Sequence, residues 1–342
     1  MEYERCLITL DPLKESERQS GMSRKGMKAL FTQRNAKSAL PFTRKEFVEE
    51  KPVIQKGMSI SGAQPKLSLA LNPQGELDVA DNNGMYILKP SPEQFPNLAE
   101  NEHAIMSCMK ALGFAIPRFG LIPFAPSIET GKQELAFIIA RYDREGDEKI
   151  HQEQIDGAMG VADKYGNAGQ YQTLSYEKVG EFITSNINSS LAVKRDYFKR
   201  VVCSYLLGNN DFHLRNIGVL HHCDGTLSIA PVYDFVSVVP YPQFYTQHLA
   251  LPLLIREEYG HELAAGYDSD FGTLVGYDFI EFAAGVGLKS ELAKKYINEL
   301  LAKNNNLVEI IRSSYMTDEH KRLVISSISS KTKLLKVFDL SW

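Results

Sequence analysis

Residues 208–218 read GNNDFHLRNIG, which sets Asn209, Asn210, Asp211, His213, Arg215 and Asn216 between two glycines. Asn216 stands five positions after Asp211, and eighteen residues further on Asp234 lies in IAPVYDFVS. A carboxylate, an amide oxygen and a second carboxylate in this order suit phosphoryl transfer. One group orients or deprotonates an attacking hydroxyl, and the other two hold Mg2+ through hard oxygens. Asp211 is the candidate base, and Asn216 and Asp234 are the candidate metal ligands. His213 and Arg215 are placed to steady phosphates or developing charge. The D-x-x-x-x-N spacing alone is equally that of a turn capped by its own Asn and Asp side chains.

Other residues weigh on that choice. Upstream, GMSISGAQPKLSLAL is a Gly- and Ser-containing turn running into a strand, whose backbone N–H groups could wrap phosphate oxygens. It matches neither a Walker A loop nor a kinase G-x-G-x-x-G, and also reads as a plain turn before a strand. Thirty residues after Ser59, Lys89 closes the strand MYILK and could reach inward to α- and β-phosphates. Thirteen residues later, Glu102 offers that lysine a carboxylate, the pair that positions a nucleotide in kinases. FIIARYDR then runs to a segment boundary, where backbone C=O and N–H at Ala140 and Tyr142 could read an adenine edge. Each signal is weak alone; their shared chain order is what favours phosphoryl transfer.

The elements that must carry these residues follow from periodicity. KLSLALN alternates with Leu67, Leu69 and Leu71 on one side, and GMYILKP and LAFIIARYD are further short strands. LAENEHAIMSCMKALG places Ala104, Ile105, Cys108, Met109 and Leu112 on one helical stripe, ended by Gly113, so the expected order is strand, strand, helix, strand, strand. After Tyr142 helices dominate: YEKVGEFITSN, DYFKRVVCSYLL, YDFIEFAAGVG, SELAKKYINELLAKN and EHKRLVISSISSKTKLLKVF. The helix DYFKRVVCSYLL is expected to end at Gly208 as a C′ glycine and so release the polar loop beside the core. TLSIAPVYD is read as a strand that delivers Asp234 at or just after its end. Residues 157–175, rich in Gly, Asn and Gln, are expected to form a long loop near a site. Three segments result: an N-terminal extension over 1–56, a sheet-rich lobe over 57–142 and a helical lobe over 143–342. The extension carries 12 Lys/Arg against 8 Asp/Glu and is read as a basic, solvated face with irregular or short helical structure.

Composition limits the alternatives. The chain has 342 residues, a formal charge of −4 and a pI near 6.1, so no global basic field holds nucleic acid and no direct nucleic-acid binding is expected of the chain alone. Cys6, Cys108, Cys203 and Cys223 are scattered without CxxC pairing, which argues against a zinc ribbon or disulfide framework. The charged start MEYER and the lack of any apolar run of about 18 residues indicate neither signal peptide nor membrane span, hence a cytoplasmic protein. His221, His222 and Cys223 are read as one surface turn, and KTKLLKVFDLSW as a packed helix end with snorkelling lysines. YPQFY, residues 241–245, is left open between a substrate rim and a packed loop.

Taken together, SISGAQPKLSL, YILKP, NEHAIM, ARYDR, GNNDFHLRNIGV and APVYDFVS resemble the HipA-like toxin serine/threonine kinases over about residues 57–342. The resemblance implies an α+β, two-lobed protein-kinase-like fold related to phosphatidylinositol 3/4-kinases, with a small sheet-rich N-lobe and a larger helical C-lobe. It implies ATP and Mg2+, a bacterial toxin–antitoxin operon, and phosphorylation of an aminoacyl-tRNA synthetase, the tryptophanyl enzyme favoured over the glutamyl one. By position, Ser61, Gly62, Ala63, Gln64, Pro65 and Lys66 form the nucleotide loop, Lys89 contacts phosphates, and Glu102, its carboxylate partner, belongs to the same ATP site. Ala140, Arg141 and Tyr142 form the hinge, and Asp211 is catalytic. His213, Leu214, Arg215, Asn216 and Tyr233 contact ATP, and Asn216 and Asp234 bind Mg2+. Family proteins carry a glutamate where Ala140 stands, and a longer N-terminal subdomain ahead of the loop. The shorter lead here resembles the HipT branch, in which a small HipS-like protein and a DNA-binding HipB-like antitoxin accompany the kinase. That branch makes Ser59 and Ser61 the expected autophosphorylation sites, where about −1.5 to −2 added charge would repel a nucleotide. A small-molecule phosphotransferase and a pseudokinase scaffold for an antitoxin are the competing readings.

Overall fold

A computed structural model describes residues 2–51, 64–80, 83–145 and 148–340. The chain divides into two compact units. Unit 1 comprises Met1–Ser107, Ile116–Lys149 and Arg312–Thr317; unit 2 comprises Cys108–Ala115, Ile150–Ile311 and Asp318–Trp342.

Unit 1 is built on a five-stranded antiparallel sheet: β1 Leu67–Leu71, β2 Leu77–Val79, β3 Tyr86–Pro90, β4 Phe119–Pro123 and β5 Leu135–Ala140, in the order β2-β1-β3-β5-β4. β3 is the central strand, with Leu88 opposite Ile138 and Lys89 opposite Phe137. Short helices α1 (Arg24–Leu30) and α2 (Arg44–Glu49) precede the sheet, and α3 (Leu98–Leu112, of which 108–112 fall in unit 2) joins β3 to β4. Thr43 caps α2 by accepting from Glu46 N–H while the Glu46 carboxylate accepts from Thr43 N–H, a capping box that fixes where the helix starts. The first 51 residues are more than a basic solvated face. Tyr3, Cys6, Leu7, Leu13, Leu30, Phe31, Phe42 and Phe47 are all buried, and the outer edge of β4 is covered by this segment: the Leu7 carbonyl accepts from Leu121 N–H at 2.8 Å and Leu40 N–H donates to the Pro123 carbonyl at 2.9 Å. The charges counted in the sequence sit between these apolar anchors.

Unit 2 is mostly helical. Its only three-stranded sheet among the described residues joins β6 (His151–Gln154) and the hairpin β7 (Gly218–His221) and β8 (Leu227–Ile229). Its longer helices are α4 (Tyr176–Asn186), α5 (Leu191–Leu207), α6 (Gly276–Gly285), α7 (Ser290–Leu301), α8 (Asn304–Ser313, of which 312–313 fall in unit 1) and α9 (Asp318–Leu334). α5 starts at Ser190, which accepts from Val193 N–H, and ends at Gly208 with φ +74. Asn209 N–H then reaches back to the Ser204 carbonyl at 2.7 Å. A side chain at position 208 would be strained in that left-handed conformation, and its Cβ would stand 2.3 Å from Val239. The expected C′ glycine is therefore what turns the chain out of α5 into the polar loop.

β8 ends at Ile229, so Asp234 lies five residues past the strand, in the left-handed region with φ +54. Lys331 of α9 does not snorkel: it is 4% exposed, while Lys333 and Lys336 nearby reach solvent. Its ammonium lies 5.1 Å from the Tyr205 ring centroid and 5.0 Å from that of Tyr245, whose hydroxyl it contacts. Within YPQFY, Tyr241 is buried and Tyr245 half-buried, while Pro242, Gln243 and Phe244 are exposed. No described helix is long and apolar enough to cross a membrane.

Candidate active site

The polar loop of unit 2 is held from below by aromatic rings. Phe212, 1% exposed, packs against Tyr176 and Phe235, and the Tyr176 hydroxyl donates to the Phe212 carbonyl at 2.6 Å. With Phe212 inside, its neighbours are fixed on either side of it, Asp211 partly exposed and His213 buried. The Asp211 carbonyl accepts from His213 N–H at 2.8 Å and from the Asn216 side chain, Nδ2, at 2.7 Å, while Asp211 N–H donates to Asn209 Oδ1 at 3.1 Å. Asp211 and Asn216 are thus locked to each other, although the Asp211 carboxylate itself remains 44% exposed.

Asp234 joins them through its neighbour Phe235, whose ring meets Phe212 at 5.3 Å between centroids. Burial is the main cause pushing His213 below the ordinary histidine range; the Asp211 and Asp234 charges oppose it and Lys164 adds to it. The imidazole therefore feels both carboxylates. As a donor set, Asn216 and Asp234 fit Mg2+: both offer hard oxygens, and with Nδ2 committed to Asp211, the 4% exposed Asn216 can ligate only through Oδ1. Among the described residues no three His, Cys, Asp or Glu side chains are arranged to hold a metal by themselves. Mg2+ in phosphoryl transfer takes one or two carboxylates and completes its shell with phosphate oxygens and water.

Arg215 is held by two side-chain bonds. Its Nε donates to Asp156 at 2.7 Å and Nη2 to the Ala162 carbonyl at 3.3 Å, while its own carbonyl accepts from the Tyr233 hydroxyl at 2.8 Å. Leu214 is fully buried, and its N–H bonds the Lys164 carbonyl at 3.0 Å. These bonds bring the expected 157–175 loop onto the site and with it two residues that motif reading missed. The Tyr165 hydroxyl donates to Asp211 Oδ1 at 3.0 Å, and Lys164 Nζ lies 3.7 Å from the same oxygen. The Gly/Asn/Gln-rich composition marked the loop but not these side chains.

In unit 1, Lys89 Nζ meets Glu102 Oε1 at 2.8 Å, with side chains 11% and 0% exposed, and the Phe137 ring lies 5.9 Å from the ammonium. Ser59, Ser61, Gly62 and Ala63 lie outside the described residues. Gln64 Nε2 donates to the Pro90 carbonyl at 3.1 Å, one residue from Lys89, and Pro65 and Lys66 lead half-buried into β1. The expected hinge loses a donor: Ala140 N–H bonds the Arg118 carbonyl at 2.7 Å, because β4 lies beside β5, and cannot also read an adenine. Arg141 N–H bonds the Met85 carbonyl, and its guanidinium forms two bonds to Asp143 at 2.9 and 2.6 Å. Burial raises the Asp143 carboxyl, but these bonds with the Arg141 and Arg144 charges outweigh it, so it stays below the usual range. On the β7–β8 hairpin, His221 packs on His151 at 4.8 Å and lies 3.4 Å from Glu153, while Cys223 is exposed.

Comparison with known proteins places these residues in a family. A Haemophilus influenzae protein named "Putative kinase" is 43% identical over 339 residues, spanning 98% of each chain. A Sinorhizobium fredii protein of the same designation, Y4dM, is 28% identical over 212 residues, which are 59% of this chain and 50% of that one. Among solved structures, HipA of the Shewanella oneidensis MR-1 toxin–antitoxin complex with HipB and operator DNA is similar with a TM-score of 0.63 at 21% identity, covering 83% of this chain and 68% of that one. The Helicobacter pylori proinflammatory kinase CtkA is similar with a TM-score of 0.53 at 15% identity, covering 79% and 94%. These two likenesses concern the fold, which is the α+β, two-lobed protein-kinase-like fold expected from the sequence. The HipA-like C-terminal domain matches residues 58–307, a span holding Lys89, Glu102, Asp211, Asn216 and Asp234, and the chain belongs to that family.

Proposed function

We propose that the protein is an ATP- and Mg2+-dependent serine/threonine protein kinase and the toxin of a bacterial toxin–antitoxin pair. The observation that carries this reading is the lock between Asp211 and Asn216, with Phe212 packed on Phe235 to bring Asp234 beside them. In the proposed reaction Asp211 accepts the proton of an acceptor hydroxyl. The hydroxyl oxygen bonds the γ-phosphorus of ATP as the bond to the β,γ-bridging oxygen breaks, and ADP leaves. Bound Mg2+ would neutralise phosphate charge, and Asn216 Oδ1 and the Asp234 carboxylate are the groups to hold it. Lys89, oriented by Glu102, pairs with the phosphates, and buried, neutral His213 holds its place beside Asp211.

The finer assignment rests on the family resemblance. A serine pair at 59 and 61 supports the HipT branch, with self-phosphorylation of that turn as an inactivating step. The proposed target is an aminoacyl-tRNA synthetase, tryptophanyl before glutamyl, and the proposed partners are a HipB-like antitoxin and a HipS-like protein. The Shewanella HipA structure, which contains HipB and operator DNA, supports the antitoxin. Mapping of phosphopeptides after brief expression of wild type and Asp211→Asn tests the reading. We expect phosphate on Ser59, Ser61 and a synthetase serine or threonine with wild type alone. Identical phosphopeptides from both proteins would remove the kinase assignment.

A further inference from the structure

We infer that Tyr165 and Lys164 are positioning residues of the transfer site, holding Asp211 by one carboxylate oxygen so that the other faces the acceptor. The inference rests on the kinase reading above and deepens it. Three groups converge on the single atom Oδ1 of Asp211: the Tyr165 hydroxyl at 3.0 Å, His213 Nε2 at 3.6 Å and Lys164 Nζ at 3.7 Å. A 44% exposed carboxylate on a loop would otherwise sample several rotamers, each presenting a different oxygen. The Tyr165 phenol is suited to the task. Burial, then the Asp211 charge, pushes its ionisation further above the usual phenol range, so it donates and does not compete for the acceptor's proton.

The segment carrying both residues is held by bonds within itself, to the catalytic loop and to Ala250. Asp163 Oδ1 accepts from Tyr165 N–H at 2.9 Å and Asn167 N–H at 3.0 Å, which fixes the turn. Leu214 N–H holds the Lys164 carbonyl, Arg215 ties Asp156 and Ala162, and Gln172 Nε2 donates to the Ala250 carbonyl at 2.9 Å. The Tyr165 ring stands edge-on to His213 at 5.4 Å, and Lys164 Nζ lies 4.6 Å from the Tyr165 ring centroid. An exposed pair at 3.7 Å adds little stability, typically about 0–1 kcal/mol, so Lys164 is not explained by what it does for the fold. Its charge lies where an anionic carboxylate and an anionic phosphoryl group must approach each other. Lowering that repulsion, without itself taking a proton, is the role we assign it.

The test uses the purified full chain with γ-labelled ATP and Mg2+, in the forms Tyr165→Phe, Lys164→Met, Lys164→Arg and Asp211→Asn. Initial rates of self-labelling and ADP formation are read beside ADP affinity by calorimetry and the melting temperature. Tyr165→Phe and Lys164→Met are each expected to lower kcat by about 10- to 100-fold, the scale of a misplaced reacting group, with ADP affinity, KM for ATP and melting temperature little changed. Lys164→Arg, which keeps the charge, is expected to stay within about 3-fold of wild type, about 0.65 kcal/mol in barrier. Wild-type kcat in Tyr165→Phe and Lys164→Met overturns the inference, as does a loss that follows nucleotide affinity or melting temperature. Turnover equal in wild type and Asp211→Asn instead removes the kinase reading itself, and the inference with it.

Discussion

Phe212 and Phe235 meet with ring centroids 5.3 Å apart, and each directly follows a carboxylate of the candidate site, Asp211 and Asp234. Apolar packing below thereby sets the spacing of charges above. Phe235→Ala is expected to cost about 3–5 kcal/mol of stability, as a large buried ring lost from a packed core does. Phe235→Leu should cost less, about 1–3 kcal/mol, yet reduce phosphotransfer more than the folded fraction falls. Urea denaturation and labelled-ATP turnover on the same preparations check this; turnover that tracks folded fraction alone would refute the coupling.

Asn216→Ala removes the donor that binds the Asp211 carbonyl at 2.7 Å and the oxygen proposed for Mg2+. The expected stability loss is about 1–3 kcal/mol for a buried polar partner removed. The expected kinetic result is a higher Mg2+ concentration for half-maximal turnover, measured by Mg2+ titration at saturating ATP. An unchanged Mg2+ requirement would separate Asn216 from the metal.

Lys89 and Glu102 form a pair that is costly to break singly. Glu102→Leu alone is expected to lose on the order of 3–5 kcal/mol by taking the carboxylate from a buried ammonium, and Lys89→Met/Glu102→Leu together much less. Both proteins should lose ATP affinity, measurable by calorimetry. Recovery of stability without recovery of nucleotide binding is the distinguishing outcome.

How much of this could be read beforehand follows the range of each signal. The period of Tyr197, Val201 and Tyr205 and the glycine at 208 are local, and α5 with its left-handed end forms as expected. α4, α6, α7 and α9 were equally legible from their apolar stripes. β4 was expected only as an unplaced strand in the order after α3, because FGLIP is buried at all five positions and shows no alternation to locate it, so the partner that takes up Ala140 N–H was not identified. α8 opens with three asparagines and buries only Leu307 and Ile311, a weak helical signature. Within the site, the D-x-x-x-x-N spacing exposed Asp211 and Asn216, whereas the Tyr165–Asp211 bond spans 46 residues and leaves no periodic trace. Lys331 misled for the same reason: KTKLLK looks like a wet helix end, and the rings that enclose the lysine are contributed by Tyr205 and Tyr245.

Lys331 also predicts a pH dependence. Burial pushes its ammonium down to about 7, against about 10.4 in an unfolded chain. For a lysine lowered on folding, the cost is fully present below pH 7, where folded and unfolded chains both carry the proton. It fades as pH rises toward ~10, where neither does. Lys331→Met is therefore expected to be most favourable relative to wild type at pH 6–7, with the difference shrinking by pH 9.5. His248, lowered first by burial and then by the Lys331 charge, should titrate higher in that variant. Denaturation at several pH values reads the first effect and NMR of the imidazole the second.

Unit 1 is assembled from three separate stretches, and the last, Arg312–Thr317, arrives only after the chain has laid down most of unit 2. Within it the Tyr315 hydroxyl donates to the Arg5 carbonyl, its ring stands edge-on to Tyr3, and Thr317 N–H bonds Asn97. A recombinant fragment stopping at Lys149 would leave those N-terminal residues without their closing piece. Neither unit can be excised by a single scission, and isolating the sheet-bearing half calls for a permuted or spliced gene.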